Sequence, residues 1–124
     1  MFNRYYFTKN HIWVDIDEDI ASIGITDYAQ EKLGSILFVN LPNVNDEIHE
    51  NEAFGDIESV KTVHDLIAPI DGVVVECNGE LEDDPNIINY NPLENWLIRV
   101  RIDYIPEGLL NKDEYLAYME RGNS

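Results

Sequence analysis

Short apolar runs, each cut off within a few residues by glycine, proline, asparagine or aspartate, recur along the whole chain and leave room for little except β-strands. Ile12-Trp13-Val14-Asp15-Ile16 and Ile20-Ala21-Ser22-Ile23-Gly24-Ile25 flank the polar Asp17-Glu18-Asp19, which predicts a hairpin. Ile36-Leu37-Phe38-Val39 reads as a buried strand ending at Pro42-Asn43. Further strands are expected over 53–60, 63–68, 73–77 and 96–102, the last with Arg99 and Arg101 on its solvent face. Two helices interrupt this pattern. Thr26 can cap 27–33, which stops at Gly34, and Asn111 can cap 112–120, where Tyr115, Leu116 and Met119 share one face. Residues 78–95 carry Asn78-Gly79, Asp84-Pro85 and Asn91-Pro92 and read as loop. The expected architecture is a mainly β single domain over 1–124, a β-sandwich or flattened barrel with a short helix in the N-terminal half and a C-terminal helix.

Composition narrows the function classes. The 124 residues hold 25 Asp and Glu against 8 Lys and Arg, a formal charge of −17, so nucleic acid and anionic membrane are repelled. An apolar fraction of 44% is too large for a disordered acidic tail. The chain shows neither a membrane-spanning run nor a signal or transit peptide, and a cytoplasmic monomer is expected. Its single cysteine, Cys77, makes no internal disulfide and, in a valine-rich run, reads as inert packing. His11, His49 and His64 lack the close spacing of metal ligands, so no metal is expected.

The charge has an internal pattern. From residue 34 to residue 97 the only basic side chain is Lys61, amid Asp46, Glu47, Glu50, Glu52, Asp56, Glu58, Asp65 and Asp71. It lies in Glu58-Ser59-Val60-Lys61-Thr62-Val63, between two strand-like runs, where a tight hairpin is the natural reading. An ammonium with an ordinary pKa of about 10.4 is a poor nucleophile at neutral pH, so a lysine at such a tip suits modification by another protein better than catalysis, while position alone favours a surface lysine that screens an acidic face.

Glu58-Ser59-Val60-Lys61, followed by Asp65 and Ala68-Pro69-Ile70-Asp71-Gly72, resembles the lipoyl-attachment segment of the glycine cleavage H-protein family. The likeness takes in His11-Ile12-Trp13-Val14, the run from Ile23 to Gln30, the run from Leu33 to Pro42, Gly55 to Lys61, and Trp96-Leu97-Ile98. Nearly the whole chain is covered, in order and at family spacing.

The resemblance implies a lipoyl/biotinyl-type β-sandwich with lipoic acid in amide linkage on Lys61. Glu58, three residues before the lysine, and Gly72, eleven after it, fill the places that lipoylating enzymes (a lipoate ligase or octanoyltransferase) read in such proteins. Asp71-Gly72 also suits a turn needing positive φ. Ser59, Val60, Thr62 and Asp65 are implied as surroundings of the arm, and His11 and Trp13 as walls of a cleft sheltering it. The implied role is that of a non-catalytic carrier. It takes the aminomethyl group of glycine from a pyridoxal-phosphate decarboxylase to a tetrahydrofolate-dependent aminomethyltransferase, and then meets dihydrolipoyl dehydrogenase. Biotin, the nearest rival on the same fold, expects Met on both sides of the lysine, whereas Val60 and Thr62 stand here.

Two departures bear on this. The family usually reads His-Glu-Trp where this chain has His11-Ile12-Trp13, leaving Asp65 as the carboxylate expected near the arm. Residues 89–96 are one residue shorter than the usual form and, with Lys61-Thr62-Val63, are similar to H-like proteins of lipoate relay or lipoyl-dependent regulation. That relay role is the functional alternative.

Overall fold

The computed structural model describes residues 5–121. Alternation of apolar and polar residues sets up its first hairpin. Strand β1 (Tyr5–Phe7) pairs with β2 (Ile12–Asp17), which pairs with β3 (Ile20–Ile25) in the register Asp17↔Ile20, so a two-residue loop turns the chain. Thr26 then caps α1 (Asp27–Leu33), its hydroxyl accepting from the Ala29 amide. The helix ends at Gly34, whose φ of 75° is the left-handed exit that glycine takes without steric penalty. Strands β4 (Ile36–Asn40), β5 (Glu47–Ile48), β6 (Ala53–Ser59), β7 (Val63–Ile67) and β8 (Gly72–Cys77) follow, then the single turns α2 (Glu80–Asp83) and α3 (Ile87–Tyr90), β9 (Ile98–Arg101) and α4 (Lys112–Glu120). Helix α4 starts at the expected Asn111, in a full capping box with Glu114.

Every strand pair is antiparallel. One sheet has the order β1-β2-β3-β9-β8-β5 and the other β4-β6-β7. The two cover a common core in which Val14, Ile23, Val74 and Val100 of the larger sheet meet Ile57 and Leu66 of the smaller. Mainly β architecture with few helices is as expected, but the flattened barrel is not. Each sheet keeps its own edges, so the layers stack without closing. Among the described residues no helix is long and apolar enough to cross a membrane.

Strand β2 is buried on both faces. Ile12 and Val14 point into the main core, while Trp13 points the other way into a second cluster with Phe7 and Tyr115 under α4. The Phe7 and Tyr115 rings stack at 4.8 Å, and the Trp13 indole N–H donates to the Pro92 carbonyl at 3.0 Å. Gly24, opposite Trp13, leaves room for that indole; a Cβ there would lie 2.5 Å from the ring.

Other sequence expectations need correction. The stretch 78–95 is not all loop, since α2 buries Leu81 and α3 buries Ile88 in the core, with Ile87 packed against it. Strand β4 is buried only at Ile36; Phe38 is exposed because the smaller sheet turns its outer face to solvent, and Leu37 is exposed where the register to β6 shifts between Ile36 and Phe38. Leu116 of α4 is exposed too, and Tyr115 carries the buried contact with Met119 packed beside it. The last long strand spans 98–101, shorter than the 96–102 expected.

Candidate functional site

Antiparallel pairing of β6 with β7 places Lys61 at a hairpin tip, as the sequence predicts. The turn is closed by the Ser59 amide donating to the Thr62 carbonyl at 2.8 Å, and the Ser59 hydroxyl accepts from the amides of Lys61 and Thr62. Val60, Lys61 and Thr62 are exposed. The tip is tied to the rest of the fold by the Val60 amide, which donates to the Ser35 carbonyl at 3.0 Å. The Lys61 stem lies beside Gly34, close enough that a Cβ on that glycine would sit 3.4 Å from Cε.

One residue missed in the sequence holds this junction. Asn89 of α3 donates from its amide to the Gly34 carbonyl at 2.9 Å and to Gln30 at 3.0 Å, and its oxygen accepts from the Ile36 amide at 3.0 Å. It thereby fixes both sides of Ser35, the residue on which the tip hangs. Asn89→Ala is expected to cost about 2 kcal/mol by stranding these groups, and amide exchange at Ile36 and Val60 should quicken beyond the rest of β4 and β6.

Glu58 lies on the outer face of the smaller sheet, where Phe38, Glu58 and Val63 form one cross-strand row and Asn40, Asp56 and Asp65 the next. The Asn40 amide donates to Asp56 at 2.6 Å and to Glu58 at 3.1 Å. Exposed Phe38, Val60 and Val63 therefore put apolar surface beside the lysine, amid carboxylates.

Gly72 sits elsewhere. Strand β7 carries the chain five residues away from the tip before the turn into β8, roughly 16 Å at about 3.3 Å per residue. The expected positive φ is absent there. Glycine is demanded by packing, since a Cβ would lie 2.8 Å from the Arg101 carbonyl oxygen and 3.1 Å from Val100.

Between the tip and α1 runs a cleft of about 300 Å³. Tyr28, Ala29, Lys32 and Leu33 of α1 form one wall, Thr62 and His64 of the hairpin another, and Asn10 and His11 its end. Of the two residues expected to wall a cleft, His11 does and Trp13 does not. Asp65 also falls outside it, because neighbours on a strand face opposite ways and His64 takes the cleft side. Ile12 is buried in the main core. No carboxylate is among the lining residues.

His11 is held in the left-handed region, at φ 63°. Its Nδ1 is 2.7 Å from the Tyr115 hydroxyl, which lies 3.0 Å from the Thr26 hydroxyl. The Tyr28 ring centroid is 4.5 Å from the imidazole. Burial first, and the His64 imidazole second, hold His11 below the usual histidine range. The folded protein thus refuses a proton that the unfolded chain accepts. Stability from this source is complete above the unfolded value of 6.5 and is lost as pH falls from there through the lower folded value. We expect the urea midpoint to drop between about pH 7.5 and about pH 5.5, with a smaller drop in His11→Asn, since Asn tolerates this φ.

The model for the glycine cleavage H-protein family matches residues 4–122. Glycine cleavage system H proteins from two strains of Staphylococcus epidermidis are each 47% identical over 116 residues, covering 91% of this chain and 92% of the relative. The crystal structure of a glycine cleavage system H protein from Mycobacterium marinum superposes with a TM-score of 0.87 at 37% identity, covering 97% of this chain and 98% of that one. By sequence and by fold, this chain belongs to the glycine cleavage H-protein family.

Proposed function

We propose that this chain is the lipoyl carrier of glycine cleavage, with Lys61 as the attachment point. The observation that carries this reading is Lys61 itself, an exposed primary amine on a tight turn, with Glu58 three residues before it. The cleft beside it, walled by Ala29, Leu33 and Tyr28, is the right kind of surface for an acyl arm. When bound, the lipoyl group supplies the redox and group-transfer chemistry. The chain's own residues present, orient and shelter. Ser59 and Ser35 fix the tip, Glu58 and the outer face of β6 meet the lipoate ligase or octanoyltransferase, and Thr62, His11 and His64 border the arm. Acylation also replaces a strongly hydrated ammonium with a neutral amide, moving the formal charge from −17 to about −18.

In this role the protein serves glycine decarboxylase, the aminomethyltransferase and dihydrolipoyl dehydrogenase in turn, as a cytoplasmic monomer that catalyses nothing itself. Lipoylated protein added to purified glycine decarboxylase should support exchange of bicarbonate into glycine, and unmodified protein should not. A second reading, lipoate relay without glycine cleavage, is favoured by the lack of a carboxylate among the cleft residues. It predicts complete lipoylation with no exchange.

A further inference from the structure

Strand parity puts Glu58 in an apolar row and Asp56 in an acidic one on the outer face of the smaller sheet. Glu58 stands opposite Phe38 of β4 and Val63 of β7, which are 61% and 62% exposed. Asp56, two residues back on the same face, stands opposite Asn40 of β4 and Asp65 of β7. Carboxylates directly opposite each other repel, and Asp56 also repels Glu58 along their shared strand. Among the described residues Glu58 pairs with no lysine or arginine; the ion pairs lie elsewhere, at Glu47 with His49 and at Glu76 with Arg99.

Asn40 answers this charge. Its side-chain nitrogen lies 2.6 Å from Asp56 Oδ1 and 3.1 Å from Glu58 Oε2, which gives each carboxylate one amide hydrogen. The orientation follows from chemistry, because the flipped amide would turn its oxygen on both carboxylates and take both donors away from them. Only Oε2 of Glu58 is engaged in this way; Oε1 has no hydrogen bond among the described residues and stays open to an incoming donor. Asn40 is exposed and is not among the groups that close the lysine turn. A glutamate without such a tie spreads over several rotamers, and fixing it on association costs affinity. A glutamate already held in place avoids that cost.

We propose that Asn40 is a positioning residue for lipoylation of this protein, holding Glu58 between Phe38 and Val63 with its free oxygen outward to meet a cationic donor of the lipoylating enzyme. The proposal rests on the carrier reading, in which that enzyme reads Glu58. It adds the residue that orients Glu58 and the chemistry of the group that meets it. A lysine or arginine fits, since a carboxylate flanked by apolar side chains takes a charge-assisted hydrogen bond in surroundings that the partner's own surface dries.

The test is a double-mutant cycle on whole protein, with lipoylation by a purified lipoate ligase followed by intact mass at several protein concentrations. Each variant is assayed well below its own Tm, so that a change in stability does not enter the rate. Asn40→Ala should lower kcat/KM roughly two- to tenfold, the cost of immobilising one freed side chain, and the loss should fall on KM. Asn40→Asp, equal in shape but bearing a further carboxylate, should lose more. Glu58→Ala should lose at least as much as Asn40→Ala, and in that background Asn40→Ala should change nothing further. A role confined to holding the sheet together predicts equal losses with and without Glu58, and such additivity overturns the proposal. Full activity in Asn40→Ala overturns it as well. Unchanged activity in Glu58→Ala, with the adduct on Lys61, overturns the reading of Glu58 and the proposal with it, and leaves the carrier reading standing. Absence of any adduct on the parent protein overturns the carrier reading itself, and the proposal falls with it.

Discussion

Lys61→Arg should abolish attachment of the lipoyl group while leaving the fold intact. Acylation needs a nitrogen lone pair, and a guanidinium with a pKa above about 12 offers none to an activated acyl group. The substitution keeps charge and length, so loss of the adduct cannot be ascribed to altered electrostatics of the tip. Both side-chain ends are in solvent, and the hydrogen bonds that hold the turn come from Ser59, Thr62 and the backbone. The change in stability should therefore stay within about 0.5 kcal/mol. Intact mass after incubation with a lipoylating enzyme reads the result. An adduct of unchanged mass and yield on the variant would move the site to another of the chain's lysines, such as Lys9, Lys32 or Lys112.

Gly55→Ala should be the most damaging of single-methyl changes in the lysine-bearing sheet. Gly55 lies on β6 where the register to β7 shifts, and a Cβ there would collide with the carbonyl oxygen of Asn40 on β4. That neighbour is backbone, so no rotamer change relieves the overlap; β4 must move off β6. Such overpacking costs about 3 kcal/mol, which for a domain of this size lowers Tm by roughly 10 °C. Because Asn40 also bridges Asp56 and Glu58, the displacement reaches the outer face beside the lysine. Thermal unfolding followed by far-UV circular dichroism measures the first effect, and the rate of lipoylation the second. A Tm within a few degrees of the parent would show that the β4–β6 contact yields more easily than the packing implies.

These positions also show which parts of the molecule could be read from sequence. The helix over 27–33 and the C-terminal helix were legible because Thr26, Gly34, Asn111 and Glu114 are local signals whose partners lie within four residues. The lysine hairpin was legible for the same reason. Strand β5, two residues long, exists only because β8 is there to pair with it, and no local pattern announces it. The turns α2 and α3 hid behind asparagine and proline, although Leu81 and Ile88 are the residues of that stretch that become buried in the core. Phe38 misled because a continuous apolar run looks alike whether one face or both are covered. Strand parity was available for the site and decides it: His64 and Asp65 are neighbours, so one of them alone can face the cleft. The relay from Thr26 through Tyr115 to His11 joins residues up to 104 positions apart and had no signature in the sequence at all.

Cys77 has a consequence under the proposed carrier role, in which the cargo is a cyclic disulfide. Thiol–disulfide exchange begins with a thiolate, and any thiolate on the carrier's own surface would be an intramolecular trap for its arm. This chain has one thiol. Its Sγ–H donates to the Pro42 carbonyl at 3.1 Å, and burial, followed by the carboxylates of Asp46, Glu76 and Glu82, pushes its pKa up from the ordinary value. The same acidity that repels nucleic acid thus suppresses ionisation of the one internal nucleophile able to open such a ring. In that proposed role, self-capture of the arm is disfavoured by the chain itself.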